Sequence, residues 1–249
     1  MRLIFLCAAL SLTLSSVAQA VELKFNTQDF APFNYAVDGT VSGPAAELIR
    51  NVCDEMQITC SFELLGWQRA QEEVRLGKAH GMFVIGWNEE RDKWLHFSPP
   101  LLYTEYGFFV HKSNPLQFKD VTDVKGYRVG VYGPSNTSRS LEKIKAQIQN
   151  LSIDMRPNDE DGFRKLAAGR IDAVFSNRDV GFHLMDRLEL TTVRYAGRQR
   201  RLKYYIGFSQ THTDKDIVDR FNQTLLTLYR RGVAQRILKK YQIEPVNLQ

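Results

Sequence analysis

Cysteine is scarce in this chain, with three residues in 249, at Cys7, Cys53 and Cys60. The five histidines, His80, His96, His111, His183 and His212, are scattered along it. No His-x-x-x-His, Cys-x-x-Cys or carboxylate cluster has metal-ligand spacing, so no metal site and no cofactor is expected. No Gly-x-Ser-x-Gly turn is present, which removes the usual signal of one class of nucleophilic hydrolase. Long apolar runs are lacking beyond residue 20, and the rest of the chain reads as soluble rather than membrane-spanning.

The first 20 residues read as an export signal. Arg2 supplies a positive start, Leu3 to Leu14 is apolar except for Ser11 and Thr13, and Ala18-Gln19-Ala20 is a small-x-small cleavage pattern. Cleavage after Ala20 is expected, with Cys7 discarded and the mature protein periplasmic. About 230 residues then remain, room for one large domain or two lobes of ~100 residues each.

The formal charge is +5, and loss of Arg2 lowers it by one. The basic residues are dispersed. One cluster, Arg198, Arg200, Arg201 and Lys203, is short and lacks interleaved stacking aromatics, so it reads as a solvated or docking face and no nucleic-acid partner is expected. Two cysteines survive cleavage. An even count in an exported chain predicts a Cys53–Cys60 disulfide, against the alternative of two buried thiols.

Hydrophobic periodicity gives the elements. Val21 to Asn26 alternates as a strand, and Asp38-Gly39 marks a turn. Ala46, Ile49, Val52, Cys53 and Met56 fall on one helical face. Ile58 to Leu64 reads as a strand, Trp67 to Leu76 as a helix ended by Gly77, and Met82 to Ile85 as a buried strand. Tyr106 to His111, Arg128 to Tyr132, Ile171 to Phe175 and Tyr204 to Phe208 read as further strands, with a short one at Val193 and Tyr195. Asn136 or Thr137 is placed to cap the helix after Pro134. Helices are also expected over Val180 to Leu188, Ile217 to Leu228 and Val233 to Tyr241. This alternation argues for α/β architecture with largely parallel sheets. Leu76-Gly77-Lys78-Ala79-His80-Gly81-Met82-Phe83 parallels Ala168-Gly169-Arg170-Ile171-Asp172-Ala173-Val174-Phe175, which suggests two similar lobes.

The richest segment runs from Trp67 to Pro100. It holds Trp67-Gln68-Arg69-Ala70, Gly77-Lys78-Ala79-His80-Gly81, Asn88-Glu89-Glu90-Arg91 and Phe97-Ser98-Pro99-Pro100. This order resembles the signature region of the periplasmic solute-binding proteins of family 3, which serve amino-acid uptake. The resemblance extends over Val21 to Tyr241. It implies a two-lobed type 2 periplasmic-binding fold, each lobe a mostly parallel sheet flanked by helices, with the ligand cleft between. Lobe 1 would comprise residues 21–107 and 203–249, and lobe 2 residues 108–202.

The same resemblance implies roles for individual residues. Arg91 stands where the family's arginine pairs with a ligand carboxylate; the plainer reading is a helix cap or a partner for Glu89 or Glu90. Trp67 and Phe30 stand where apolar side chains wall the ligand, though both also suit a packing role. Arg69 fits a subgroup with Trp-x-Arg and either adds a second cation to the cleft or lies outside its helix. Ser135, Asn136 and Thr137 occupy the family's Gly-Thr-Thr position before a helix, where backbone N–H groups and hydroxyls bind acceptors. Two positions depart from the pattern. Asn177 replaces the aspartate that pairs with a ligand ammonium, and Gly86 replaces a Ser or Thr. Gly43-Pro44-Ala45-Ala46-Glu47 also differs from the family's Gly-Phe-Asp-x-Asp.

The expected function is capture of a small carboxylate-bearing solute, an amino acid or close analogue, by a non-enzymatic monomer that docks on an ABC-type permease. Two alternatives remain open at this level. One is a sensing partner of a membrane receptor. The other is an enzyme on the same scaffold, like the family relative cyclohexadienyl dehydratase.

Overall fold

The computed structural model describes residues 22–248; the expected signal segment with its cleavage site and Cys7 lies outside that range. Strand β1 (Glu22–Thr27) leads to a hairpin, β2 (Tyr35–Val37) and β3 (Thr40–Ser42). Asp38 and Gly39 both take positive φ, 49° and 75°, as a tight hairpin turn requires. Helix α1 (Pro44–Met56) follows, then β4 (Thr59–Leu64), α2 (Trp67–Arg75) and β5 (Gly81–Gly86). β1 pairs in parallel with both β4 and β5. A single-turn helix α3 (Glu89–Asp92) and the short strand β6 (Leu95–Phe97) precede the long strand β7 (Leu102–His111).

The second lobe repeats the scheme with β8 (Arg128–Tyr132), α4 (Asn136–Lys145), β9 (Ser152–Arg156), α5 (Asp159–Ala167), β10 (Ala173–Asn177) and α6 (Arg178–Arg187). Strand β11 (Val193–Ser209) and helices α7 (Lys215–Arg230) and α8 (Val233–Lys240) complete the chain. Gly77 and Gly169, the helix stops of the internal repeat, both have left-handed φ, 73° and 66°. A Cβ is disfavoured there, which is why glycine ends each helix before its buried strand.

Apart from the two-stranded β2-β3 hairpin, the strands form one sheet in the order β4-β1-β5-β11-β7-β10-β8-β9, with β6 also pairing β11. Parallel groups lie at the two ends, and the antiparallel pair β7 and β11 joins them. Where the sequence suggests two strands, at Val193/Tyr195 and Tyr204 to Phe208, the structure has one strand of 17 residues. Its middle, Arg198 to Lys203, is polar and lacks an apolar signature. It is held instead by backbone pairing to β7, with register shifts at Tyr195/Gly197 and Arg198/Arg200. The basic cluster therefore sits on the crossing strand. Arg198 faces Glu105 at 3.6 Å, and the Arg201 guanidinium lies 3.8 Å from the Tyr103 ring centroid.

Phe25 anchors the core at one end of the sheet, packed on Phe62, Phe208 and Phe221. At the other end Phe108 packs on Phe118 and Phe175. Cys53 near the end of α1 and Cys60 at the start of β4 form the expected disulfide, with Cα atoms 6.2 Å apart.

Candidate functional site

Ligands of open α/β sheets bind beyond the carboxyl ends of parallel strands. Here Gln28, Trp67, Gly86, Tyr132 and Asp159 stand at or just after the ends of β1, β4, β5, β8 and β9. They converge on two adjoining cavities. The inner one, about 30 Å³, is lined among others by Arg91, Gly86, Tyr106, Asn136 and Tyr204. The outer cleft, about 930 Å³, includes Leu64, Asp159, Val180 and His183. Gln28, Phe30, Trp67 and Tyr132 line both.

Arg91 is placed by its own turn. Asn88 caps α3, its Oδ1 accepting from the Arg91 backbone N–H at 2.9 Å. Arg91 is only 5% exposed. Nη1 donates to the Gly86 carbonyl at 2.8 Å, while Nε, also buried, has no partner. Glu90 is paired with Lys93 instead, and no carboxylate among the described residues lies within ion-pair distance of Arg91. Burial is the main influence on its pKa, lowering it to about 10, so the group remains cationic at neutral pH. The Trp67 ring sits 5.0 Å beneath it, and an aromatic face is a favourable but incomplete partner for a cation. A buried cation with a free donor is costly unless something anionic meets it.

Trp67 opens α2 directly after Gly66. Phe30 rests on Phe33 and Tyr204, centroids 5.5 and 6.0 Å away, so it serves both packing and the cavity wall. Ser135, Asn136 and Thr137 all reach the inner cavity. The cap of α4 is Ser135, not Asn136 or Thr137. Its extended backbone lets its hydroxyl accept from the Thr137 and Ser138 N–H groups, and Ser138 Oγ accepts in return from the Ser135 N–H.

Arg69 and Asn177 line neither cavity. Arg69 turns along its helix to Glu73, Nε to Oε1 2.8 Å, and is mostly exposed. Asn177 is fully buried and caps α6, accepting from the Asp179 and Val180 N–H groups. Its amide donates to Thr104 Oγ1 at 2.7 Å and to the Tyr204 hydroxyl at 3.1 Å.

Among the described residues, two side-chain hydrogen bonds span the cleft. Tyr132 donates from its hydroxyl to Gln28 Oε1 at 3.0 Å, and Asn88 donates to Asn136 Oδ1 at 3.3 Å. Sequence reasoning missed Gln28, Tyr106, Tyr132, Asp159 and Tyr204. For Gln28, Tyr132 and Asp159 the strand-end rule was available as a signal. For the two tyrosines within the crossing strands, nothing local distinguishes them from core aromatics.

The sequence profile of the bacterial extracellular solute-binding proteins, family 3, matches residues 24–244. The L-cystine-binding protein TcyJ of Escherichia coli (strain K12) is 21% identical over 220 residues, covering 85% of this chain and 79% of that protein. ABC transporter arginine-binding protein 1 of the same strain is 22% identical over 247 residues, 95% of this chain and 97% of the other. A solved histidine kinase sensor domain with similarity to periplasmic binding proteins aligns with a TM-score of 0.81 at 21% identity, over 92% of this chain and 98% of that one. Such low identity speaks for the fold alone, which is the type 2 periplasmic-binding architecture expected. The profile match runs through both parallel strand groups and the crossing pair between them, so this chain belongs to the bacterial extracellular solute-binding proteins of family 3.

Proposed function

We propose that this protein captures a small carboxylate-bearing solute, an amino acid or close analogue, and delivers it to an ABC-type membrane importer. One observation carries this reading: Arg91 is a buried cation with an unpartnered Nε at the wall of a cavity bounded by Trp67 and Phe30. A carboxylate there would supply the missing acceptor through charge-assisted hydrogen bonds. The names of the two Escherichia coli relatives, a cystine-binding and an arginine-binding protein, support amino acids as the solute class.

In this reading residues 21–107 and 203–249 form lobe 1 and residues 108–202 lobe 2. β7 and β11 are the hinge, and Gln28–Tyr132 and Asn88–Asn136 are contacts of the closed state. Arg91, Gly86, Trp67 and Phe30 contact the ligand from one side, and Ser135, Asn136 and Thr137 from the other. The protein is exported, loses residues 1–20, works as a monomer and binds without turnover. The test is a thermal-shift screen of the mature protein against amino acids and organic acids, repeated on Arg91→Met. A ligand at 100 times its Kd stabilises by about 2.7 kcal/mol, and the variant should lose that shift. A carboxylate that stabilises both proteins equally, or turnover of prephenate or arogenate, would overturn the reading.

A further inference from the structure

The outer cleft has four carboxylates in its wall, Asp29, Asp159, Glu160 and Asp161. Three have other commitments. Glu160 is paired with Arg164 and Arg187. Asp29 is exposed to solvent, and Asp161 accepts from the Asn158 amide at the open end of α5. Asp159 differs. It is half-buried, and no cation among the described residues forms an ion pair with it. Its only side-chain partner among the described residues is neutral: Ser176 donates from Oγ to Oδ1 at 2.6 Å. Its charge reaches the phenols of Tyr132 and Tyr204, both of which line the inner cavity with Arg91.

An unpaired buried cation, Arg91, thus lines the inner cavity, and an unpaired half-buried carboxylate, Asp159, lines the outer cleft that shares Gln28, Phe30, Trp67 and Tyr132 with it. Asn177 offers no alternative to Asp159, because its oxygen and both its amide hydrogens are engaged and it faces away from the cavities. We propose that Asp159 receives the cationic amine of the ligand, so that the cleft selects zwitterionic amino acids over simple carboxylates. This rests on the reading that Arg91 takes the carboxylate.

Burial pushes the Asp159 carboxyl up to about 6. An approaching ammonium favours the ionised form, so proton and ligand compete, and affinity falls as the pH drops through about 6. The charged and titratable groups around Asp159 are Glu160 and Asp161 on its own helix, His183 and Arg187 on α6, Asp29 after β1, and Tyr132 and Tyr204. His183 is held below its ordinary value by burial and titrates nearby, so the control is the variant rather than the pH profile alone.

The experiment measures calorimetric affinity for the standard amino acid, or L-cystine, that gives the largest thermal shift, and for its N-acetyl derivative, which keeps the carboxylate and loses the cation. Wild type, Asp159→Asn and Arg91→Met are compared at pH 7.5 and pH 5. The expected result is a loss of at least about tenfold for the free amino acid in Asp159→Asn. Weak binding of the N-acetyl form by wild type should be unchanged in that variant. Acid should weaken wild type, and the pH dependence should be smaller in Asp159→Asn. If Asp159→Asn binds the amino acid as wild type does, or wild type binds both forms equally, the inference is overturned while carboxylate capture stands. If Arg91→Met binds like wild type, carboxylate capture fails whatever Asp159 does. A melting temperature of Asp159→Asn at or above wild type shows that the variant folds.

Discussion

A Cβ built on Gly86 would lie 2.7 Å from the side-chain nitrogen of Asn136, with the next nearest atoms, of Asn136 and of the Tyr204 ring, each 3.8 Å away. The two residues come from opposite lobes, at the end of β5 and the start of α4. The missing side chain at 86 is the space in which the Asn136 amide meets Asn88. The loss of a hydroxyl at position 86 and the presence of an amide at 136 are thus one feature. Gly86→Ala displaces a flexible side-chain tip rather than backbone. It should cost the closed state about 1–2 kcal/mol and leave each lobe's packing intact. Small-angle scattering should show a larger radius of gyration with the ligand-free melting temperature little changed. An unaltered scattering profile together with wild-type affinity would contradict this.

Arg91→Met should weaken carboxylate binding by roughly 2–5 kcal/mol, while the ligand-free protein loses no stability because a poorly compensated buried charge is gone. Arg91→Lys should not restore affinity, since an ammonium cannot reproduce the planar fork that also holds the Gly86 carbonyl. Titration calorimetry and chemical denaturation of both variants check the two halves of this statement.

Asn177→Asp installs the acid that the parent pattern carries, yet it should not improve amino-acid binding. The new carboxyl would be buried beside Thr104, whose hydroxyl already donates to Asp179 at 2.7 Å. It would also lack the amide hydrogens that now reach Thr104 and Tyr204. The expected cost at pH 7 is about 1–3 kcal/mol, smaller near pH 4, where the acid is protonated. Denaturant melts at the two pH values decide it.

Asp159 makes a second pH effect visible without ligand. Its folded-state pKa, about 6, lies above the ordinary value of 3.8. Between those values the folded state holds a proton that the unfolded chain has released, so this group's contribution falls as pH rises from about 4 to about 6. Asp159→Asn keeps an acceptor for Ser176 and removes the penalty. It should raise stability at pH 7 by roughly 1–3 kcal/mol and have little effect at pH 4. Equal stability of the two proteins at pH 7 would refute the burial argument.

The Cys53–Cys60 bond closes a short loop, and on the chain-entropy model its removal should cost ~2–3 kcal/mol. The double variant Cys53→Ser, Cys60→Ser should melt lower by about 4–12 °C. Its ligand affinity should be unchanged, because neither residue lines either cavity. Calorimetric melting with and without reductant gives the answer.

Much of the architecture is written in local patterns. The glycines at 77 and 169, the alternation of β1 and the amphipathic face of α1 each depend on residues within a turn or two, so periodicity exposes them. Arg91 was legible because its setting, a capped turn between a buried strand and Phe97-Ser98-Pro99, is contiguous in the chain. Strand β11 was not read as one element, since backbone pairing to β7 carries its polar middle and leaves no apolar trace. Asn177, expected just beyond a strand ending at Phe175, is the last residue of β10, and its direction depends on Thr104 and Tyr204, distant in sequence. By itself the sequence determined most of the helices and buried strands, the disulfide partners and the buried cation's neighbourhood. Tertiary structure alone decided that Asn136 fills the gap at Gly86, that Asn177 turns inward, and that Asp159 stands unpaired near Tyr132. Each of these is an approach between segments tens of residues apart, set by how two lobes meet across a shared sheet, and no short-range spacing encodes it.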